Sequence, residues 1–272
     1  GTATQVGNQV ASSDQTRFIS ELIASGTLGE VSEIHAWTNQ SNWQQSQFQP
    51  ERRTKTPSDL NWDLYTAPGS TYEYHPSIAP TGWRGLWNFG NGVLGSMAPH
   101  VLEPAFRALK LGAPEEVEAS STFTNLQLAP EASLLTFRFA RRDNLPKVAM
   151  PAVTLKWYDG GLKPQHTNEL PSHFQISKVD TGILFRGSEG AVLYDVDAGI
   201  VHTFINREEM DVELPKTFAR IEKPFEGGHE SDWVRACKEA PENRLETSAP
   251  FRTQQALSET ILVGSLALRF QS

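Results

Sequence analysis

Five short segments rich in β-branched and aromatic residues fill the central part of the sequence, and they constrain the fold more than any other feature. Gly, Pro or Asp turns separate these segments, which are 116–124, 132–139, 153–158, 182–187 and 191–195. Residues of these types favour strands, and an alternating segment at 31–37 precedes them. The pattern predicts an α+β fold with one large, mostly antiparallel or mixed β-sheet and helices on one face.

Helical patterns lie on both sides of the strands. A first helix is predicted to begin just after residues 12–13, where two serines can cap it. Amphipathic stretches at 229–238 and 257–270 predict two more helices. The remaining predictions are a short strand at 2–6 and a long polar loop at 39–59. We interpret residues 1–272 as a single α+β domain, since one core of this size is within the ordinary range.

Composition excludes several classes of function. A net charge of −8 argues against nucleic acid or an anionic membrane as a partner, because phosphate groups must be met by a basic patch. No apolar stretch approaches 18 residues, so no transmembrane helix is predicted. The single cysteine, Cys237, rules out an internal disulfide and a cysteine-based metal cluster. We expect a soluble protein, and the sequence does not decide between the cytoplasm and the periplasm.

The segment 82–109, GWRGLWNFGNGVLGSMAPHVLEPAFRAL, concentrates the residues that could carry chemistry. An aromatic and glycine-rich stretch leads into a predicted helix, on which His100, Glu103 and Arg107 share one face. This stripe has two interpretations: a surface ion pair beside an ordinary histidine, or a site in which His100 moves a proton. His100 and Glu103 could also offer two metal ligands, but no HExxH motif is present, so we predict no metal site.

The same segment resembles the Gfo/Idh/MocA oxidoreductases, whose substrate domain typically carries WRGWWDFGxGxLGDMGxHxxD. The stretches LNWDLYTAPGSTYEYH at 60–75 and KWYDGG at 156–161 are similar to that family as well. The resemblance implies that His100 is a proton-relay group beside the substrate hydroxyl. Three aspartates of the family pattern are replaced here, by Asn88, Ser96 and Glu103. Ser96 stands where the family has the aspartate that assists the histidine.

This resemblance implies the carbohydrate-binding substrate domain of a sugar oxidoreductase, with assembly into a homo-oligomer through the open sheet face. We predict His100, Glu103 and Asp159 as catalytic residues, with Glu103 orienting His100 in place of the missing aspartate. The predicted substrate-binding residues are Asp63, His75, Trp83, Arg84, Trp87 and Tyr158. Two alternatives stay open: a cofactor-independent sugar hydrolase or lyase that uses a pair of carboxylates from Asp63, Glu103 and Asp159, and a non-catalytic sugar-binding or assembly module.

No strand followed by GxGxxG and a helix occurs in the sequence, so no NAD(P) site is predicted in this chain. NAD(P) is implied only by the resemblance, because the family carries its Rossmann domain and its catalytic lysine upstream of the region covered here. Residues 1–10 resemble the last strand of that domain. The chain is therefore expected to be either a fragment trimmed from a longer protein or a protein that has shed its Rossmann domain, and the sequence leaves both open.

Overall fold

The computed structural model describes residues 1–40, 54–66, 72–80, 82–122, 127–142 and 151–271. The greater part of the predicted loop at 39–59 and the last two residues of the predicted strand at 116–124 lie outside the described residues.

An eight-stranded sheet forms the centre of the molecule. Its strands are β1 (Val31–Thr38), β2 (Glu116–Ser121), β3 (Ser133–Phe139), β4 (Val153–Tyr158), β5 (Thr181–Gly187), β6 (Gly190–Asp195), β7 (Ile200–Ile205) and β8 (Glu208–Met210). They lie in the order β2-β3-β4-β1-β5-β6-β7-β8. The pair β1 and β4 is parallel, and every other pair is antiparallel. The mixed sheet predicted from the sequence is confirmed.

Two strands were not predicted. In β7 the inward-facing positions do not alternate regularly with exposed ones, and β8 is three exposed residues, Glu208–Met210, with two adjacent acids. Neither segment carries the period-two pattern from which strands are recognised. The predicted strand at 2–6 was wrong: no described strand pairs with it, and one backbone bond, from the amide of Val6 to the carbonyl oxygen of Ala249 at 3.0 Å, anchors its end.

The α-helices are α1 (Asp14–Ala24), α2 (Trp62–Thr66), α3 (Gly92–Val101), α4 (Glu103–Leu109), α5 (His229–Lys238) and α6 (Phe251–Arg269). Ser13 caps α1 as predicted, because its side chain accepts a hydrogen bond from the amide of Thr16 at 3.2 Å. The sequence predicted α6 from residue 257, but it begins six residues earlier, directly after Pro250. A proline at that position is compatible with a helix start, since it has no amide hydrogen to satisfy.

The two faces of the sheet carry different side chains. On β4, Leu155 and Trp157 point into the main hydrophobic core, which also receives α1, α3, α4 and α6. Lys156 and Tyr158 alternate with them and point to the opposite face. The helices therefore cover one face, as predicted. None of the helices in the described parts of the chain is long and apolar enough to cross a membrane.

Among the residues that the structure describes, only part of the opposite face is covered. Over β5, β6 and β7 the chain segment 170–179 packs against the sheet in a second, smaller core, whose buried members include Trp37, Leu170, Ile176, Val179, Leu184 and Phe204. Over β2, β3, β4 and β1 the exposed side chains are mainly polar or charged, with Arg138 paired to Glu116 and Glu118 across neighbouring strands. We call this uncovered polar part the open face of the sheet.

Candidate functional site

A small cavity lies between the 3₁₀ turn Gly82–Gly85 and the first turns of α3. Its volume is about 200 Å³, and its walls include Trp83, Arg84, Phe89 and Ser96. The guanidinium carbon of Arg84 lies 4.7 Å from the centroid of a Trp83 ring, so the cation stacks on the aromatic face. This cavity, which we call the Trp83 cavity, gathers three of the residues that the resemblance singled out.

Glycines bring the backbone close to this cavity. A Cβ atom at Gly90 would lie 2.4 Å from the carbonyl oxygen of Arg84, and Gly92 has a φ of +62°. Gly90, Gly92 and Gly95 have the spacing of GxGxxG, yet a turn precedes them instead of a strand of the sheet. The strand-to-helix context of a dinucleotide fingerprint is therefore missing at this place.

Phe89, in the wall of the cavity, contacts an aromatic cluster that includes Trp62 of α2. Phe89 lies with its ring centroid 5.7 Å from that of Tyr72, and Trp62 packs edge-on against Tyr74 at 5.3 Å. The indole nitrogen of Trp62 donates to the carbonyl oxygen of Tyr72 at 2.8 Å, which fixes its ring. Aromatic walls of this kind suit the apolar faces of sugar rings.

Asn8 holds the ring of His100, one helical turn beyond Ser96 on α3. The Nδ1 atom of His100 lies 3.1 Å from Oδ1 of Asn8. The Asn8 amide can point only one way, because its Nδ2 donates to the carbonyl oxygen of Pro99 at 2.8 Å and to Oε2 of Glu103 at 3.4 Å. The Oδ1 atom is therefore the acceptor, and His100 donates to it from Nδ1. In a neutral ring the lone pair is then on Nε2.

Burial lowers the pKa of His100 below its ordinary value of 6.5, so the ring is neutral near pH 7. No protein group among the described residues bonds to Nε2 of His100. The side chain of Ser96 does not reach it, because its hydroxyl donates back to the carbonyl oxygens of Gly92 and Val93 at 3.2 and 3.3 Å. The arrangement thus presents a neutral imidazole whose Nε2 can accept a proton.

Glu103 belongs to a different helix from His100, contrary to the predicted single stripe. The helix is interrupted at Leu102, between α3 and α4, because Pro104 has no amide hydrogen with which to continue the backbone hydrogen bonds of α3. The carboxylate of Glu103 reaches His100 only through Asn8, which bonds to both. The predicted orienting role of Glu103 is therefore indirect, and Asn8 is the direct partner.

The carboxylate of Glu103 is almost fully buried and meets hydrogen-bond donors on all sides. Its Oε1 accepts from Nε and Nη2 of Arg107 at 3.2 and 3.1 Å, and its Oε2 accepts from Nε2 of Gln254 at 2.8 Å. Burial raises the pKa of Glu103, and Arg107 and Gln254 oppose that rise. Because α4 and α6 supply these donors, Glu103 fixes the packing of the helices behind His100.

Of the predicted site residues, Trp83 and Arg84 line the Trp83 cavity, and His100 itself is not in its lining. Trp87 belongs to the main core, where Arg269 stacks on its ring at 5.7 Å. Asp63 is exposed on α2, and the Nδ1 atom of His75 lies 2.5 Å from the hydroxyl oxygen of Ser77. Neither Asp63, His75 nor Trp87 lines the Trp83 cavity.

Tyr158 and Asp159 also lie apart from His100. Tyr158 points to the opposite face of the sheet, where its hydroxyl lies 3.0 Å from Nδ1 of His35. Asp159 is buried at the end of β4 and accepts hydrogen bonds from the amide and hydroxyl of Ser133 and from the indole nitrogen of Trp157. Burial raises the pKa of Asp159 to about 6, with the three donors opposing. These bonds join the end of β4 to the start of β3, so Asp159 has a structural role.

Sequence reasoning missed Asn8, although it belongs to residues 1–10, which resemble the last strand of the family's Rossmann domain. Nothing in the local pattern pairs Asn8 with His100, which lies 92 residues further along the chain. Within the described residues, no group of three or more His, Cys, Asp or Glu side chains could hold a metal ion.

Residues 13–125 match the family model described as "Oxidoreductase family, C-terminal alpha/beta domain", that of the Gfo/Idh/MocA proteins. This match confirms, over that part of the chain, the resemblance drawn from the motifs. No curated protein matches the chain.

Solved structures share the fold at low identity. A super-repressor mutant of Gal80p from Saccharomyces cerevisiae is 14% identical, with a TM-score of 0.54, and the match covers 100% of this chain and 64% of that one. An NAD-binding protein from Listeria innocua is 12% identical, with a TM-score of 0.54 and coverages of 97% and 64%. Levoglucosan dehydrogenase in complex with NADH and levoglucosan is 11% identical, with a TM-score of 0.53 and coverages of 98% and 65%. The chain thus spans less than two thirds of the length of these neighbours.

Proposed function

We propose that this chain, whose residues 13–125 match the C-terminal alpha/beta domain of Gfo/Idh/MocA oxidoreductases, binds the sugar substrate of a sugar oxidoreductase and uses His100 to accept the proton of the reacting hydroxyl. The observation that carries this proposal is the bond from Nδ1 of His100 to Asn8, which leaves Nε2 as a base one helical turn beyond Ser96, a residue in the wall of the Trp83 cavity. The levoglucosan dehydrogenase among the structural neighbours supports a sugar as the substrate class.

The walls of the Trp83 cavity match the chemistry of a sugar. The rings of Trp83 and Phe89 offer apolar faces, and the guanidinium of Arg84 offers donors to hydroxyl oxygens. At about 200 Å³ the cavity is smaller than the roughly 300–1,000 Å³ of ordinary ligand pockets. We infer that it forms one wall of the site, and that the sugar ring lies partly outside it.

The described residues do not fit a Rossmann-type dinucleotide site, because no strand leads into the glycines at 90–95. We therefore propose that NAD(P) is bound outside this chain, and the present residues supply only substrate binding and the proton-accepting group. Calorimetric titration with NAD(H) and NADP(H) tests this point. Binding to this chain with a submillimolar dissociation constant would contradict it.

The tautomer of His100 tests the geometry directly. Long-range ¹H–¹⁵N correlation spectra of ¹⁵N-histidine protein should show His100 protonated on Nδ1. His229 is an internal reference of the opposite kind: its Nε2 lies 2.8 Å from the carbonyl oxygen of Val6, and its Nδ1 lies 2.6 Å from the hydroxyl of Ser12. Asn8→Ala should move the proton of His100 to Nε2 and leave His229 unchanged. An Nε2-protonated His100 in the unaltered protein would remove the basis of the proposal.

Sugar binding is tested separately from proton transfer. Titration with levoglucosan and with glucose, followed by tryptophan fluorescence and calorimetry, should show saturable binding that Trp83→Ala weakens at least tenfold. Trp233 is a matched control, since it is 44% exposed on α5, and Trp233→Ala should leave the affinity within twofold. Equal losses in both variants, or no binding to any of a panel of neutral monosaccharides, would refute the assignment of the Trp83 cavity.

A non-catalytic sugar-binding module is a second candidate function, and Ser96 favours it. The family aspartate is absent at this position, and the serine hydroxyl is bonded to its own helix, so no acidic group stands directly beside His100. A protein that binds sugar at the Trp83 cavity but shows no turnover when NAD(P)⁺ is supplied would fit this function. The hydrolase or lyase alternative has less support, because Asp63 is exposed on α2 while Glu103 and Asp159 are buried in separate hydrogen-bond sets.

Assembly through the open face stays a prediction. The resemblance implies a homo-oligomer through this face, and the structure shows that the face is charged, with Arg138 43% exposed beside Glu116 and Glu118. Ion pairs would then hold two copies together, so high salt should weaken the association. Light scattering at micromolar concentration should show a dimer or a tetramer in dilute buffer. A monomer under these conditions would refute the prediction.

A further inference from the structure

An aromatic surface adjoins the Trp83 cavity. Phe89 belongs to the cavity wall, and its ring centroid lies 5.7 Å from that of Tyr72. The indole nitrogen of Trp62 donates to the carbonyl oxygen of Tyr72 at 2.8 Å. The ring of Trp62 in turn stacks on Tyr65 at 5.2 Å and meets Tyr74 edge-on at 5.3 Å. We call Trp62, Tyr65, Tyr72 and Tyr74 the aromatic platform.

The aromatic platform is not part of a hydrophobic core. Neither of the two cores formed by the described residues includes any of its four members. All four side chains are half-buried, whereas the core rings of Trp37, Trp157 and Phe137 are fully buried. Four aromatic side chains that contact one another at the surface, outside both cores and beside a cavity, form a patch of the kind that marks a ligand site.

The platform offers both apolar faces and polar tips. Burial raises the pKa of Tyr72 above its ordinary value of 10.0. Burial also raises the pKa of Tyr65, with the charge of Arg84 opposing. Both hydroxyls are therefore neutral near pH 7, and each can donate and accept a hydrogen bond. A sugar ring has the matching surface, since its CH groups form apolar faces and its hydroxyls lie around the edge.

The size of the Trp83 cavity limits what it can enclose. At about 200 Å³ it lies below the roughly 300–1,000 Å³ of ordinary ligand pockets. A second sugar ring bonded to the first must therefore lie outside the cavity. Because Phe89 of the wall contacts Tyr72, the platform begins where that wall ends. The 5.7 Å between the centroids of these two rings is close to the spacing of adjacent rings in an oligosaccharide.

We propose that the sugar bound at the Trp83 cavity is one residue of a neutral disaccharide or longer oligosaccharide, and that the aromatic platform binds the adjacent residue. The proposal rests on the proposed function for the position of the first sugar. It does not depend on proton transfer to His100, because the platform acts on binding alone.

The test is a calorimetric titration of the whole chain without NAD(P). The probes are glucose, galactose and methyl glucoside, with cellobiose, maltose and lactose as disaccharides. At least one disaccharide should bind at least fivefold more tightly than either monosaccharide, because its second ring gains an aromatic contact. Methyl glucoside should stay within twofold of glucose, since a methyl group cannot cover an aromatic ring. Equal affinity for the monosaccharides and every disaccharide, or no binding of any probe, overturns the proposal.

Two variants locate the second ring. Tyr72→Ala should weaken the preferred disaccharide at least fivefold and leave the monosaccharide within twofold. Should Tyr72→Ala fold poorly, Tyr72→Leu keeps an apolar side chain and removes the aromatic face, and it should weaken the disaccharide at least threefold. Trp233, 44% exposed on α5, is the control, and Trp233→Ala should leave both affinities within twofold. An equal loss of monosaccharide and disaccharide in the Tyr72 variants would contradict the assignment.

A spectroscopic signal separates this proposal from the proposed function. The indole N–H signal of Trp62, which is bonded to Tyr72, should shift on addition of the disaccharide and not on addition of glucose. Disaccharide binding with this shift, but without turnover when NAD(P)⁺ is supplied, would contradict proton transfer at His100 and support the platform. Turnover of a monosaccharide with no gain for any disaccharide would contradict the platform alone.

Discussion

Glu21→Gln should destabilise the protein in a pH-dependent manner. Glu21 lies on α1, and its side chain is 3% exposed. Its Oε1 accepts from the amides of Thr217 and Phe218 at 2.6 and 3.1 Å, and its Oε2 accepts from Nη2 of Arg220 at 2.7 Å. Burial alone would raise the pKa of Glu21, but these donors lower it from 4.5 to about 2. The carboxylate thus ties the segment after β8 to α1.

The magnitude follows from proton linkage. A folded-state pKa below the unfolded value means that the stabilisation is fully present above the unfolded pKa and is lost as the pH falls through the folded pKa. A tenfold change in proton affinity corresponds to about 1.4 kcal/mol. Lowering the pKa of Glu21 from 4.5 to about 2 therefore adds about 3 kcal/mol to the free energy of unfolding at pH 7. By the same relation, the contribution of Glu21 to the free energy of unfolding falls to about 1.4 kcal/mol at pH 3.

Urea denaturation followed by tryptophan fluorescence, at pH 7 and at pH 3, measures both values. Glu21→Gln should lower the free energy of unfolding by about 3 kcal/mol at pH 7 and by about half of that at pH 3. Asp14 is the matched control, because it lies 3.6 Å from the same Arg220 but is 63% exposed. Asp14→Asn should cost less than about 0.5 kcal/mol. An equal loss for Glu21→Gln at the two pH values, or an equal loss in both variants, would refute the linkage argument.

Three further predictions concern the site and its support. In an assay that supplies NAD(P)⁺ and the sugar, His100→Ala should lower turnover by roughly two to four orders of magnitude, with sugar affinity changed less than about threefold; unchanged turnover would remove His100 from the reaction. Burial raises the pKa of Asp159 to about 6, so the folded state stays protonated to a higher pH than the unfolded state, and stability should fall by about 2 kcal/mol as the pH rises from 4 to 7; Asp159→Asn should abolish this slope in denaturation curves. A Cβ atom at Gly264 of α6 would lie 2.8 Å from Cζ of Phe137, so Gly264→Ala should cost about 1–3 kcal/mol by thermal unfolding, whereas Gly112→Ala, with no atom within 4 Å, should stay within about 0.5 kcal/mol.

The strands that alternate in hydrophobicity and end at turns could be predicted from the sequence. Strands β3 and β4 were located almost to the residue, because each has buried residues at every second position. Segment β7 lacks that regularity, and β8 has no buried residue at all. Strands β7 and β8 could not be predicted because pairing with a neighbouring strand, and not the local sequence, makes them extended.

The composition of the Trp83 cavity could be predicted in part. Trp83, Arg84 and Ser96 are near one another in sequence, so the local motif was sufficient to group them. Asn8 could not be predicted, because its link to His100 depends on how residues 8 and 100 meet in the fold. The grouping of Tyr158 with His100 failed for the same reason: a motif records that residues occur together, but it does not say on which face of a sheet each one lies.

The alternation along β4 explains why the residues of the motif at 156–161 do not form one site with His100. Trp157 points toward the helices and donates to Asp159, which closes β3 against β4, while its neighbour Tyr158 points to the open face and contacts His35. Since the side-chain period of a strand is two, consecutive residues of one sequence motif point to opposite faces of the sheet. The parallel pairing of β1 with β4 then places His35 opposite Lys156, so the polar cluster on the open face is a direct product of register. Trp83→Ala, which perturbs the Trp83 cavity, should for this reason leave the contact between His35 and Tyr158 unchanged.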